Sequence, residues 1–149
     1  MKRIIRTDNN NLDFQALITE LDAYLKITDG EEHEFYNQFN SLKKINHVVV
    51  AYQNEQAIGC GAFKKLDTNT AEIKRMYVKP AHRGSGVANT VLSSLEQWAS
   101  EKGFIKCILE TGSRQIEANK FYKKSGYRSI PNYGQYTQVE DSNCFEKLV

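Results

Sequence analysis

Apolar positions change their spacing along the chain, and each change marks a new element. Lys2–Thr7 reads as a first strand, followed by the polar turn Asp8-Asn9-Asn10-Asn11. From there Leu12, Phe14, Leu17, Ile18, Leu21 and Leu25 fall mostly at helical steps, until Asp29-Gly30 breaks the pattern. Glu31–Asn40 predicts a second short helix. Val48-Val49-Val50-Ala51-Tyr52 is rich in β-branched residues, as a buried strand is. Asn54-Glu55 turns the chain back into Ala57–Lys65, where Ile58, Cys60 and Ala62 alternate with Gly59, Gly61 and Phe63. Thr70–Val78 predicts the next strand. Strands joined by short turns in this way describe an antiparallel meander, not a doubly wound sheet.

The following helix has the clearest pattern. Ala88, Val91, Leu92, Leu95, Trp98 and Ala99 recur at three- and four-residue steps, a stripe that faces a sheet, and Asn89, Ser93, Glu96 and Gln97 take the other side. Trp98 lies on the stripe, so it reads as core. Gly103 stops the helix and Phe104–Thr111 returns as a strand. No repeat, low-complexity tract or linker interrupts residues 1–149, which predicts a single domain. The fold class is α/β of the α+β kind: one mixed, mainly antiparallel sheet with helices on both faces.

The junction between strand and striped helix carries the chemistry. Glu72 to Ala88 reads as a strand, a turn closed by Pro80, and a loop with Gly84 and Gly86 that opens the helix. Residues without Cβ let backbone lie close to a ligand. A helix N-terminus offers unpaired N–H groups and partial positive charge, to which Arg83 adds a full one. The combination receives a phosphate or pyrophosphate. It is not a P-loop, because no lysine follows Gly86, and it is not a dinucleotide fingerprint, because Asn89 occupies the place of the third small residue.

What the spacing does match is Arg-x-x-Gly-x-Ala (Arg83, Gly86, Ala88) directly after a strand ending Met-x-Val-x-Pro. This resembles the pyrophosphate motif of the GNAT superfamily of acetyl-coenzyme A-dependent N-acetyltransferases. Ala118-x-x-Phe121-Tyr122-Lys123-Lys124-x-Gly126-Tyr127 is similar to a second signature of that family, and Ile108-Leu109-Glu110-Thr111-Gly112 to the strand between the two. The resemblance covers roughly Gln56 to Pro131. It implies a splayed pair of parallel strands at the centre of the sheet, with acetyl-CoA as cosubstrate and no metal.

Composition sets limits without adding detail. A chain of 149 residues can bury a real core, and a net charge of +2 makes no call for nucleic acid or a membrane. Met1-Lys2-Arg3 is basic, but polar residues follow Ile5 at once, so no signal-peptide apolar region forms. No apolar run approaches a membrane span. Cys60, Cys107 and Cys144 are odd in number and far apart, so they read as buried, reduced thiols of a cytoplasmic protein. His33, His47 and His82 lack metal-ligand spacing.

Acetyl transfer needs an uncharged amine, a polarised thioester carbonyl and a proton for the departing thiolate. The resemblance implies that Met76, Tyr77 and Val78 pair with pantetheine through backbone, with the Val78 N–H on the thioester oxygen. It also implies pyrophosphate contacts from Arg83, Gly84, Ser85, Gly86, Val87 and Ala88. Gln115 stands where many members have an asparagine that binds pantetheine. Tyr122 matches the tyrosine near the coenzyme sulfur and is the candidate general acid; the competing reading is a packing aromatic beside Phe121. Since Phe121 can serve the core and adjacent helix positions point apart, Tyr122 is expected to face the ligand. Tyr127 reads as structural.

Glu72 is the candidate general base, acting directly or through water. Six residues before Val78, it points to the same side of the strand if no bulge intervenes. Lys74 on that side offers a plain ion pair instead, and Glu110 on the neighbouring strand is the competing base. For the acceptor, Tyr24, Glu31, Tyr36, Glu110 and Tyr133, with Asp29, Glu32, His33 and Tyr136 nearby, suit a cationic amine of a small molecule or peptide. The same residues read equally as a solvated acidic face with scattered tyrosines. Self-association as a homodimer stays open. So do two other classes, a non-catalytic acetyl-CoA-binding regulator and an interaction protein.

Overall fold

The computed structural model describes residues 2–29 and 45–149. The expected helix Glu31–Asn40, and with it Glu31, Glu32, His33 and Tyr36, lies outside the described residues. The chain order is β1 (Lys2–Thr7), α1 (Leu12–Asp29), β2 (His47–Gln53), β3 (Gln56–Lys65), β4 (Thr70–Val78), α2 (Val87–Glu101), β5 (Lys106–Gly112), α3 (Ile116–Lys124), β6 (Arg128–Ile130) and β7 (Ser142–Leu148). Among the described residues, 3₁₀ turns at Pro80–His82 and Gly134–Tyr136 complete this order.

The strands form one sheet in the order β1-β2-β3-β4-β5-β7-β6. Every neighbouring pair is antiparallel except β4 and β5, which are parallel. The meander read from the pattern is β1 to β4. The edge strand β1 carries Lys2, Arg3 and Arg6, charges that discourage further pairing.

Each face has its own core. On one, Val91, Leu92, Leu95 and Ala99 of α2 pack on Val49, Ile58, Phe63 and Ile73. Burying each such side chain contributes on the order of 1.5–3 kcal/mol relative to exposure. Gly61 of β3 permits the approach, since a Cβ there would lie 2.8 Å from Leu95 Cδ1 and clash with the Met76 sulfur. Trp98 sits at the rim of this core, edge-on to Phe63. On the other face, Phe14, Leu17, Ile18 and Leu21 of α1 cover Val48, Val50, Cys60 and Ala62. Asn11 caps α1, its Oδ1 accepting the Phe14 N–H at 2.8 Å. The three cysteines are buried and unpaired with one another.

One irregularity positions the site. In the β3–β4 register Ala62 faces Lys74 but Cys60 faces Tyr77, so β4 has an extra residue between them. Arg75 takes it up at φ 60°, a left-handed conformation that costs a non-glycine residue about 1–3 kcal/mol. Arg75 Nη1 donates to Asp22 Oδ1 of α1 at 2.7 Å, and the Arg75 carbonyl accepts from Cys60 Sγ at 3.5 Å, which offsets that strain. A bulge of this kind reverses the alternation of side chains. Ile73 and Val78 therefore join the α2-side core, whereas Tyr77 joins the α1 side. Glu72 and Val78 do not share a face, contrary to the alternation expected for an unbroken strand.

Candidate active site

β4 and β5 pair only from Thr70–Glu72 against Lys106–Ile108 and then part. β3 holds β4 as far as Val78, and β7 holds β5 as far as Gly112, so each continues with its other neighbour. The gap opens into a cavity of about 490 Å³ lined by residues 72–78 of β4, 109–112 of β5, and Gln115, Phe121 and Tyr122. The Lys79 N–H donates to Ile58 O of β3 at 2.8 Å. Backbone groups alternate along a strand, so Val78 turns its own N–H and C=O to the open edge. Its carbonyl accepts from Arg83 Nε at 2.9 Å, as that direction requires.

A second cavity of about 440 Å³ shares Val78, Arg83, Gly84, Ala88 and Phe121 with the first and extends past Gly86 and Val87 to Asn89, Lys124 and Ser125. Gly84 and Gly86 have φ 79° and 88°, and nothing lies within 4 Å of a Cβ built at either. The requirement for glycine is thus backbone conformation, not crowding. Gly86 caps α2 without any side-chain hydrogen bond, leaving the first N–H groups of the helix for an anion. Ser85 lines neither cavity; its hydroxyl donates to His82 O at 2.6 Å and shapes the loop. The Arg83 guanidinium lies 5.3 Å from the Tyr24 ring centre and 5.6 Å from that of Tyr77. Tyr24 thus stands beside the phosphate loop as well as on the cavity wall.

Tyr122 is 7% exposed and packs on Tyr127 and Phe145, whereas Phe121 is only half-buried and reaches both cavities. Both side chains pack with the core and both line the cavity, and Tyr122 is the more deeply buried of the two. Among the described residues its hydroxyl has no hydrogen-bond partner, which leaves it for a ligand. Burial raises the phenol above its ordinary range, so the proton stays on it. Tyr127 is structural, donating to Glu96 Oε2 at 2.9 Å. Buried Gln115 stands at the start of α3 on the cavity wall.

At the closed end of the gap Glu72 is 2% exposed yet still lines the cavity. Tyr133 Oη donates to its Oε2 at 2.6 Å, and Lys64 and Lys74 Nζ stand 3.8 and 4.0 Å from Oε1. Burial lowers the Lys74 ammonium, with Glu72 acting against the shift. Glu110 lines the same space and accepts from Ser142 Oγ at 2.7 Å. Tyr133 itself is not a lining residue, but buried Tyr136 is. Sequence reasoning did not select Lys124 and Ser125, although both lie in the second motif; their place beside the phosphate loop depends on how α3 docks. Among the described residues no group of His, Cys, Asp or Glu side chains could hold a metal ion, and no helix is long and apolar enough to cross a membrane.

A parallel pair that parts around a cavity, with a glycine loop and an uncapped helix at its mouth, is shaped for an extended ligand that carries an anionic group. Comparison with known proteins agrees. The model of the acetyltransferase (GNAT) family matches residues 14–127, and the chain belongs to that family and is an acyltransferase. It is 32% identical over 123 residues to the IAA acetyltransferase of Azospirillum brasilense, covering 80% of each chain. It is 36% identical over 94 residues to the uncharacterized N-acetyltransferase YsnE of Bacillus subtilis (strain 168), where the match spans 62% of each, less than two thirds of that relative. Among solved structures, a protein assigned as an acyl-CoA N-acyltransferase from Klebsiella pneumoniae superposes with a TM-score of 0.83 at 27% identity, covering 99% of this chain and 97% of that one. A GNAT family acetyltransferase from Elizabethkingia anophelis, solved with acetyl-CoA bound, shares the fold at TM-score 0.73 and 19% identity, over 99% and 98% of the chains.

Proposed function

We propose that this enzyme transfers an acetyl group from acetyl-CoA to a primary amine by direct attack, with both bound at once. One observation carries the reading: the outward N–H of Val78 and the unpartnered hydroxyl of Tyr122 belong to one cavity that opens on the phosphate loop. The residues fit the coenzyme. Gly84 to Ala88 would hold its pyrophosphate through backbone N–H groups, and Met76, Val78 and Gln115 its pantetheine arm. When bound, it supplies an activated acetyl thioester.

Each remaining task falls to a group on the chain. The Val78 N–H is the donor for the thioester oxygen, where a fixed dipole stabilises developing negative charge. Tyr122 gives its proton to the departing sulfur. Glu72 takes the proton of the attacking amine, directly or through water, and Glu110 is placed to steer the acceptor. Leu21, Tyr24 and Leu25 of α1 offer an apolar and aromatic wall for the rest of the acceptor.

The test is acetyl-CoA-dependent release of free thiol with a panel of polyamines, amino acids and peptide amines, alongside calorimetry with acetyl-CoA. Turnover by at least one amine, with formation of its amide, is expected. Coenzyme binding without thiol release from any amine would instead fit a regulator.

A further inference from the structure

We propose that Tyr133 is a positioning residue of this reaction, whose hydroxyl aims the Glu72 carboxylate by donating a hydrogen bond to it. The proposal rests on the reading of Glu72 as general base. That carboxylate is almost wholly removed from water, so protein groups must satisfy it. Tyr133 makes the short contact, 2.6 Å to Oε2, across 61 positions of sequence. The two lysines lie beyond hydrogen-bond distance of Oε1, at 3.8 and 4.0 Å, and act through charge.

The donor is itself held. The Tyr133 ring meets Tyr136 edge-on at 5.7 Å, and Tyr136 is 2% exposed. Asn132 Nδ2 donates to Val139 O at 2.9 Å and closes the connection between β6 and β7 around the pair. The arrangement therefore reaches β4 from a packed segment at the far side of the sheet.

A general base must be both unprotonated and aimed. A hydroxyl that donates to the carboxylate does both, because it stabilises the charged form. The other groups around Glu72 are Lys64 from β3, Lys74 on its own strand, Glu110 from β5, Tyr136 from the same connection and Cys144 from β7. Arg75 acts on Lys74. Burial pushes the Cys144 thiol up to about 11 and the Tyr136 phenol above its ordinary range. Burial and Glu72 together do the same for Tyr133, so it remains a donor across the working pH.

The direct test follows the Glu72 carboxylate by carbon NMR in the full chain with labelled glutamate, its signal identified by its loss in Glu72→Gln. Tyr133→Phe keeps the ring and removes the donor. It should raise the titration midpoint of Glu72, because the charged form loses a donor. The acidic limb of kcat/KM should move up by the same amount. Below that limb the rate then falls in proportion, and the plateau falls much less. Ring fluorination of Tyr133 strengthens the donor without changing the fold, and should move both midpoints down.

An unmoved Glu72 midpoint in both variants overturns the positioning role, whatever the kinetics. If the midpoint moves but Glu72→Gln turns over like the wild type, the base reading falls and takes the catalytic role of Tyr133 with it. Parallel movement of midpoint and limb, with Tyr133→Phe adding nothing to Glu72→Gln, is the expected result.

Discussion

The phosphate-loop end of the cavity and its Glu72 end present different kinds of wall. At the loop a ligand would meet backbone: the first N–H groups of α2 and the open edge of Val78, with Gly84 and Gly86 at φ 79° and 88°. At the other end it would meet side chains from four separate segments, with Glu72 and Lys74 on β4, Glu110 on β5, Tyr136 before β7 and Leu21 on α1 lining the cavity. A backbone wall tolerates changes of side chain but not of conformation. A side-chain wall tolerates small shifts of backbone but loses its chemistry with one atom. Substitutions at the two ends should therefore fail in different ways.

The largest effect is expected at the backbone end. Gly86→Glu forces a non-glycine residue to φ 88° and puts negative charge at the anion site. Acetyl-CoA binding should be abolished in a protein that still folds, because the position is exposed and uncrowded. Calorimetry giving near-normal affinity for a folded Gly86→Glu protein would falsify the assignment of the loop.

Tyr122→Phe comes next, at the junction of the two walls. It preserves packing on Tyr127 and Phe145 and deletes one hydroxyl, so stability should fall only slightly. The maximal rate should drop by about 10²–10⁴-fold with acetyl-CoA still bound. The deficit should shrink with an acyl donor whose thiolate leaves more easily. Full activity would reduce Tyr122 to a wall residue.

Glu72→Gln should lower kcat/KM by about 10²-fold and remove the acidic limb of its pH profile, with coenzyme affinity little changed. Glu110→Gln should cost less than that. The reverse ranking in a pH–rate series moves the base to Glu110, and small equal effects leave deprotonation of the amine to solvent. The smallest effect sharpens the comparison. Ser85→Ala lies next to Gly86 yet removes only an exposed hydroxyl and its one bond to His82 O, while the glycine conformations stay, so acetyl-CoA affinity by calorimetry should stay within about twofold. A large loss there would mean that the loop, too, works through side chains.

The legibility of the site follows the same division. Arg83 to Ala88 lie consecutively, and their φ requirements and helix-start chemistry are local, so the candidate anion site was readable in order. The stripe from Ala88 to Ala99 and the turns that close the meander were readable for the same reason. Glu72 was readable as a candidate, but its side of the strand was not, because the alternation breaks at Arg75. Nothing near Arg75 in sequence announces a left-handed residue; its stabilising partners, Asp22 and Cys60, come from α1 and β3. Tyr133 read as an acceptor contact, since no local pattern ties it to a strand 61 positions away.

By itself the sequence determined most of the described helices and strands as far as β5, the glycine turn that opens α2, and the family these imply. Those features depend on backbone freedom and apolar periodicity within a few residues, and each segment carries them alone. Only the tertiary structure decided which face Glu72 takes, that Tyr122 lies deeper than Phe121, and where β4 and β5 part. These outcomes are set by competition for burial and strand pairing among distant segments. Parting of the strands is the clearest case: β3 keeps β4 and β7 keeps β5, and no stretch of either strand contains that choice.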